Sequence, residues 1–555
     1  MARNVYCVFE GGGAKGVAHV GALRAIHNKN EFSVGGYAGA SAGAIVASLA
    51  AAGWQADELL KIGGKGEVSS KAFSCIGDES ARSLADLFGS EWETILSFRM
   101  LLESGLIGGG KFSRLSFRFA LQFLFLLFWP LIYLHGNSMF APSIFSDLSL
   151  PLTYFFKAVT GGALAVGWAG YLYVVYLMIS STYKLLNIFK GLASMREVVG
   201  GVDKLLLEKI PVENGARVTF DDIYRTRSVD LKIVAANVRT GQMALFDRIS
   251  SPHVPVADAV AASAAIPFIF EPVRIDGEEY CDGGLVSNLP AWSFDPEVLL
   301  DPDCLVITCE LPETEIESDK KQLAGIQLFQ RIARTAVFGA EQLNTRGLSN
   351  HLSLSLSPDL GLLEFDNTGR HIEAVVDAED VSSLRIEFYL LEQESVREIH
   401  TEVLKYVSKV TGSADGTRTA VVRKVQVLGD RLVAYRLWYQ QGFEDSVDGD
   451  ILLPPEGSLV GDCVSKGSWA FAEKANTAEW SEFLAIPHAK RLVPQDREWV
   501  VAIPLRTNIV YNGEQTKQIS VALTIDSPQI FKDGVEKHAE KLRDIVDKHG
   551  CFTPY

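Results

Sequence analysis

Residues 5–43 read VYCVFEGGGAKGVAHVGALRAIHNKNEFSVGGYAGASAG, and this stretch decides the fold. The apolar run 5–9 is typical of a buried parallel strand, and the glycine-rich loop 11–16 ends it. Residues 17–27 carry apolar side chains at helical spacing, and after a second glycine-rich loop the alanine-rich stretch 44–52 favours another helix. A strand, a glycine loop and a helix, repeated in that order, predict an α/β fold with a parallel sheet.

The second loop contains a G-x-S-x-G pattern made by Gly39, Ser41 and Gly43. The two glycines allow a sharp turn from strand to helix with the serine at its apex. A helix beginning at Ala42 would point its N-terminus at the serine and stabilise negative charge that develops there. Any glycine-rich turn between a strand and a helix can give the same pattern, so an ordinary turn stays open.

The first loop begins with Gly11, Gly12 and Gly13 and ends with Lys15 and Gly16. Consecutive glycines before a helix expose backbone N–H groups, which can bind phosphate or stabilise an oxyanion. The loop also satisfies the G-x-G-x-x-G spacing of dinucleotide-binding proteins. No acidic residue at the end of a second strand, about twenty residues further on, supports that alternative.

A carboxylate with two following glycines, Asp282, Gly283 and Gly284, lies far downstream. The glycines place this carboxylate on a tight turn, which makes it a candidate functional residue. An ordinary Asp-Gly turn is the alternative. His19 is the histidine nearest to a motif. We interpret it as a packing residue, because no acidic residue is placed to orient it.

The composition limits the classes of partner. The chain has 555 residues, of which 52 are Lys or Arg and 68 are Asp or Glu, so its net charge is −16. Nucleic-acid binding rests on Lys and Arg neutralising phosphates, so no nucleic-acid partner is expected. The seven cysteines form no C-x-x-C pair, which indicates a reducing compartment and no metal site. No signal peptide opens the sequence, so the catalytic and C-terminal domains are expected in the cytoplasm.

Two apolar stretches, 119–134 and 158–179, contain no Asp, Glu, Lys or Arg. The second has the roughly 20 residues that a membrane-spanning helix needs. Basic residues flank the pair, and the connector at 135–154 has no Lys or Arg, which fits the positive-inside rule for a hairpin with both ends in the cytoplasm. We therefore predict a transmembrane hairpin inserted at 112–192 and a membrane location. A buried helical hairpin and a hydrophobic lid over a lipid site are the alternatives.

Taken together and in this order, the motifs resemble those of the patatin-like phospholipase family. The two glycine loops match its oxyanion and nucleophile motifs, with Lys15 where an arginine is more usual. The stretch 262–267, ASAAIP, and the turn at Asp282 match the remaining motifs. The resemblance covers residues 1 to about 110 and about 195 to 310.

This resemblance implies a three-layer α/β/α domain and a Ser–Asp dyad. Ser41 would attack an ester carbonyl and Asp282 would take its proton. The backbone N–H groups of Gly11, Gly12 and Gly13 would hold the oxyanion, and no cofactor is expected.

The C-terminal region resembles a GAF sensor domain. The residues that carry the resemblance are 452–461, 501–505 and 521–528, with a helix on each side. Such domains are regulatory, bind small molecules or mediate homodimers. An α+β domain that only packs against the hydrolase is the alternative.

The predicted organisation is a hydrolase domain at 1–310 interrupted by the hairpin, a connector at 311–394 and the GAF-like domain at 395–555. The predicted function is hydrolysis of membrane phospholipid at the bilayer, of phospholipase A or lysophospholipase type, under control of the sensor domain. The alternatives are a triacylglycerol lipase, an acyltransferase, a nucleotide-binding protein and a non-catalytic membrane signalling protein.

Overall fold

We analysed a computed structural model of the chain. It describes residues 2–62, 68–69, 84–93, 95–96, 172–173, 176, 191–213, 215–301, 303–312, 350–427, 431–443, 451–476, 496–506, 510–511, 514–515, 520–549 and 553–554. The predicted hairpin at 112–192 lies outside these residues, apart from 172–173, 176 and 191–192.

An eight-stranded sheet forms the centre of the N-terminal domain. Its strands are β1 Arg3–Phe9, β2 Phe32–Gly39, β3 Asp230–Asn237, β4 Met243–Phe246, β5 Val273–Ile275, β6 Glu278–Cys281, β7 Leu305–Glu310 and β8 His351–Ser355. They lie in the order β8-β7-β1-β2-β3-β6-β5, and β4 also pairs with β3. The pairs from β8 to β3 are parallel, whereas β4, β5 and β6 form antiparallel pairs. The predicted mixed α/β fold is confirmed.

Helices and apolar turns cover both faces of this sheet. The helices are α1 Ala18–His27, α2 Ala42–Ala52, α3 Ala56–Leu59, α4 Arg196–Lys209, α5 Phe220–Arg227, α6 Val256–Ser263, α7 Gly284–Ser287 and α8 Asp295–Leu300, with 3-10 turns at Gly13–Val17, Leu84–Glu91 and Ala291–Phe294. Side chains alternate along β1: Phe9 faces the larger core with α1 and α2, whereas Val8 faces a smaller core with Phe294. The strand is therefore buried on both sides, which explains its continuous apolar sequence.

A 44-residue helix, α9 Thr368–Thr411, follows the sheet. It crosses α1 so closely that a side chain at Gly21 would collide with the carbonyl of Val375. Arg24 and Glu379 form an ion pair of 2.6 Å beside this crossing. Because α9 runs without interruption through residue 394, the predicted boundary between connector and C-terminal domain falls inside a helix.

The C-terminal domain contains an antiparallel sheet packed on the second half of α9. Its strands are β9 Arg418–Val427, β10 Arg431–Gln441, β11 Leu452–Leu453, β12 Ala470–Glu473, β13 Trp499–Arg506, β14 Ser520–Ser527 and β15 Thr553–Pro554. The order is β11-β10-β9-β14-β13-β12, with β15 on β13. Helices α10 Leu459–Lys466 and α11 Glu536–Asp547 and the 3-10 turn Lys474–Asn476 complete the domain. Two short ladders pair Lys61–Ile62 with Val68–Ser69 and Val510–Tyr511 with Glu514–Gln515.

The predicted membrane location is wrong. Among the residues that the structure describes, no helix combines the length and the apolar composition that crossing a bilayer requires.

Candidate active site

Ser41 occupies a sharp turn between β2 and α2. Its backbone has φ 51° and ψ −124°, a conformation that costs energy for any residue with a side chain. The flanking glycines make the turn possible: a Cβ at Gly39 would collide with the backbone of Gly43, and one at Gly43 would collide with the carbonyl of Phe9. The predicted G-x-S-x-G pattern thus forms a strained elbow, and its serine is only 6% exposed.

Asp282 lies directly beside this serine. The Oγ atom of Ser41 donates a hydrogen bond of 2.8 Å to Oδ2 of Asp282. The other carboxylate oxygen, Oδ1, accepts a 2.7 Å bond from the N–H of Gly284. A Cβ at Gly283 would collide with the carbonyl of Val234 on β3, so this glycine brings the turn against the sheet. The carboxylate is held with one oxygen committed to the serine.

Burial changes the acidity of this carboxyl group. Asp282 is 2% exposed. Loss of hydration raises its pKa to about 6, and the hydrogen bonds from Ser41 and Gly284 partly oppose that rise. At neutral pH the group is therefore ionised, and it is a stronger proton acceptor than an exposed aspartate.

Ser263, at the end of α6, holds the backbone of the nucleophile elbow. Its Oγ accepts a 2.9 Å bond from the N–H of Ser41 and donates a 2.6 Å bond to the carbonyl of Val234. The sequence identified the stretch 262–267 as a matching motif without assigning this contact.

The first glycine loop lies next to the elbow, at the carboxyl end of β1. The N–H of Gly11 donates to the carbonyl of Asn288 at 3.1 Å. In the described part of the chain, the N–H groups of Gly12 and Gly13 have no hydrogen-bond partner. Gly13 has φ 57°, a conformation that favours glycine. Of the three predicted oxyanion donors, Gly12 and Gly13 are thus the two whose N–H groups no described residue accepts.

The remaining predicted motif residues have packing positions. Lys15 is half-buried in the 3-10 turn Gly13–Val17. A Cβ at Gly16 would collide with the Cβ of Ala42, so this glycine allows the turn to pack on the first residue of α2.

Glu10 is a buried acidic residue that the sequence analysis missed. Its Oε1 accepts a 2.8 Å bond from Nδ2 of Asn288, and its Oε2 accepts a 2.6 Å bond from the N–H of Leu311. These bonds connect Glu10, directly before the glycine loop, to the residues that follow α7 and β7. The available signal was a charged residue directly between a buried strand and a glycine loop.

His19 lies in α1, and its side chain packs in the protein core against Phe9 rather than beside Ser41. Its Nε2 lies 2.8 Å from the carbonyl oxygen of Glu10, and its ring lies 5.3 Å from that of Phe9. Burial lowers the pKa of His19 to about 4, so the ring is neutral near pH 7. Its surroundings agree with the interpretation as a packing residue.

An apolar cavity of about 140 Å³ opens beside Ser41. Apart from this serine, the described residues that line it are glycines and apolar side chains, among them Ile45, Leu49, Leu205, Ile266 and Phe365. A reactive hydroxyl therefore faces a space suited to a hydrocarbon group rather than a polar ligand.

A serine elbow at the carboxyl end of a parallel strand, with a buried aspartate beside it, is the arrangement of an α/β serine hydrolase. The sequence model of the patatin-like phospholipase family matches residues 7–295, just over half of the chain. This protein belongs to that family, whose members are lipid acyl hydrolases.

Two curated relatives align with part of the chain. The uncharacterized protein R571 of Acanthamoeba polyphaga mimivirus is 29% identical over 97 residues, which cover 18% of this chain and 30% of that protein. The uncharacterized protein YqhO of Bacillus subtilis is 27% identical over 166 residues, which cover 28% of this chain and 51% of that protein. The chain thus spans about half or less of the length of these relatives.

Two solved structures are similar over larger shares of the chain. VipD from Legionella pneumophila has 18% identity and a TM-score of 0.32, with 70% of this chain and 67% of VipD covered. The type III effector protein ExoU of Pseudomonas aeruginosa has 14% identity and a TM-score of 0.26, with 70% of this chain and 53% of ExoU covered. These low scores add nothing to the family assignment.

Proposed function

We propose that this protein is a phospholipase of the A or lysophospholipase type, with Ser41 and Asp282 as its catalytic dyad. The observation that carries the proposal is the 2.8 Å hydrogen bond from Ser41 Oγ to Asp282 Oδ2 beside an apolar cavity that Ser41 lines. The site thereby combines a nucleophile, a base with a raised pKa and a space for a hydrocarbon chain.

The proposed reaction has two halves. Asp282 takes the proton of Ser41 as Oγ attacks the ester carbonyl carbon, and the carbonyl oxygen becomes an oxyanion. The N–H groups of Gly12 and Gly13, which have no hydrogen-bond partner among the described residues, are the candidates to stabilise this charge. When the intermediate collapses, the alcohol leaves with the proton from Asp282. Water then attacks the acyl-serine in the same way and releases the fatty acid.

The cavity supports an acyl chain as the bound group. Each methylene that moves from water into an apolar site contributes roughly 0.8 kcal/mol. Substrate binding therefore needs no charged residue in the cavity. The acyl chain bonded to the carbonyl would enter the cavity, and the polar head of the lipid would remain outside it.

The structure gives less support to nucleotide binding at the glycine loop. A diphosphate site needs several free N–H groups in one concave loop. Here the N–H of Gly11 is bonded to Asn288, and that of Ala14 is bonded to the carbonyl of Leu362 at 2.9 Å. Two neighbouring free donors are sufficient for an oxyanion but few for a diphosphate.

Labelling with a fluorophosphonate tests the nucleophile directly. We expect the wild-type chain to be labelled at Ser41 and Ser41→Ala to remain unlabelled. Ser48→Ala is the matched control, because Ser48 lies on the same helix with its Oγ bonded to the carbonyl of Ile45 at 2.8 Å. Absence of labelling, combined with thermal stabilisation by NAD or ATP, would instead favour nucleotide binding.

We further propose that the C-terminal domain is a GAF-like sensor that regulates the hydrolase through a small-molecule ligand. The support is α9, which packs on α1 in its first half and on the C-terminal sheet in its second half. There Glu392, fully buried, accepts a 2.7 Å bond from Arg423 on β9. A shift of the sheet would therefore move a helix that also contacts the hydrolase.

A pair of valines on α9 tests this coupling. Val403 is fully buried in the shared core, whereas Val410 is 40% exposed on the same helix. We expect Val403→Ala to change kcat/KM by about fivefold or more, since coupling free energies are typically about 1–3 kcal/mol. Val410→Ala should leave it unchanged. Equal activities for both variants in the folded state would count against regulation through α9.

A further inference from the structure

Three aromatic rings that line the cavity beside Ser41 belong to a cluster of four. Phe88 stacks on Phe270 with ring centroids 5.7 Å apart. Phe365 meets Phe88 edge to face at 4.9 Å and Trp92 at 6.1 Å. Of these rings, Phe88, Phe270 and Phe365 line the cavity itself. Phe365 is the one that lies beyond residues 7–295, the region matched by the family.

The backbone around Phe365 is fixed to the active site. The carbonyl of Leu362 accepts the 2.9 Å bond from the N–H of Ala14, in the glycine loop. Gly13 packs so closely on the same carbonyl that a Cβ there would collide with it. The carbonyl of Glu364 lies 2.7 Å from Nε2 of His371, in the first turn of α9. The backbone that leads to Phe365 is therefore held between the glycine loop and α9.

The size of the cavity limits what fits against Ser41. At about 140 Å³, it is comparable with an apolar protein cavity of about 150 Å³ that takes up benzene. That space suits a short acyl chain. At the side of the cavity where Phe365 lines it, a longer chain needs the volume that this ring occupies, because the ring closes the space there.

We propose that Phe365 determines the length of the acyl chain that the enzyme accepts. The proposal rests on the function proposed above and assigns part of the substrate site to the segment before α9, outside the family match. Removal of the ring extends the cavity, whereas a larger ring shortens it.

The full-length protein is assayed with the p-nitrophenyl esters of butyrate, octanoate and palmitate, and kcat/KM is measured for each. The wild type is expected to prefer butyrate. Phe365→Ala raises the octanoate-to-butyrate ratio of kcat/KM by about tenfold or more, since single methylenes already change such ratios by about 10–200-fold. Phe365→Trp lowers the same ratio. Phe365→Leu shifts it in the direction of the alanine variant, with less loss of packing.

The matched control is Phe246→Ala. Phe246 is buried on β4, where its ring meets that of Tyr280 at 5.2 Å, and it does not line the cavity. Its variant loses stability while keeping the wild-type chain-length ratio. A uniform loss of activity on all three esters in Phe365→Ala and Phe365→Leu, with unchanged ratios, overturns the assignment and leaves the hydrolase function intact. A wild type without Ser41-dependent hydrolysis contradicts the proposed function and the assignment together.

Discussion

The Oγ atom of Ser41 lies 2.8 Å from Oδ2 of Asp282, although 241 residues separate them in sequence. The serine stands on the turn after β2, and the aspartate stands on the turn after β6. Both turns lie next to β3. The carbonyl of Val234 on β3 accepts a hydrogen bond from Ser263 and packs closely against Gly283. The central sheet thereby positions the two groups from separate parts of the chain.

The pH dependence of hydrolysis follows from this contact. Asp282 must be ionised to accept the proton of Ser41, and its pKa is raised by burial to about 6. We expect kcat/KM to rise about tenfold per pH unit below about pH 6 and to level off above it. An uncharged ester should be used, so that the substrate does not titrate. A profile that is already flat from pH 4 to pH 8 would show that Asp282 is not the base.

Replacement of Asp282 by asparagine should stabilise the folded protein at neutral pH. The folded-state pKa lies above the ordinary value of 3.8, so the folded state binds the proton more tightly than the unfolded state. The free energy of unfolding of the wild type therefore falls as pH rises from about 4 to about 6. Asp282→Asn removes this dependence and should gain up to about 3 kcal/mol at pH 7 in urea unfolding, since one pKa unit is 1.36 kcal/mol.

Asp247→Asn is the control for that measurement. Asp247 is also buried, but its Oδ1 accepts bonds from the N–H groups of Ile249 at 2.9 Å and Ser250 at 2.6 Å. We expect no gain there. If Asp282→Asn, like Asp247→Asn, gains no stability, the result would contradict the claim that burial of the Asp282 charge is unfavourable.

Glycine at position 43 should be essential for both stability and activity. A methyl group in Gly43→Ala would meet the carbonyl of Phe9, which belongs to the central strand and cannot move freely. We expect a loss of about 1–3 kcal/mol in the free energy of unfolding, as for other overpacked sites. Hydrolysis should fall as well, because the elbow that presents Ser41 is displaced.

Gly200→Ala is the matched substitution for Gly43→Ala. Gly200 lies in α4 with no atom within 4 Å of an added Cβ. Alanine should therefore stabilise the helix by about 0.5–1 kcal/mol without affecting hydrolysis. Equal effects of the two substitutions in urea unfolding would mean that Gly43 is not required for steric reasons.

Local features of the site could be predicted from the sequence, because each depends on residues that are adjacent in the chain. Glycines around Ser41 and after Asp282 indicate tight turns, whatever the rest of the protein does. The same holds for Gly13, because consecutive glycines before a helix indicate exposed backbone N–H groups.

Contacts between distant segments could not be predicted in this manner. Glu10 bonds to Leu311, and Ala14 bonds to Leu362, yet neither pair shares a local pattern. The prediction that Gly11 offers a free N–H missed its bond to Asn288 for the same reason. The membrane location was inferred from the composition of two apolar stretches, and the helices described in the structure do not support it.

Release of fatty acid from a phospholipid is the measurement that tests the central claim most directly. The full-length wild type, Ser41→Ala and Ser48→Ala are incubated with the same phospholipid, and mass spectrometry identifies the products. We predict equal release by the wild type and Ser48→Ala, and release by Ser41→Ala that is lower by a factor of about 10³ or more. Release by Ser41→Ala at the rate of the wild type would contradict the assignment of Ser41 as the nucleophile.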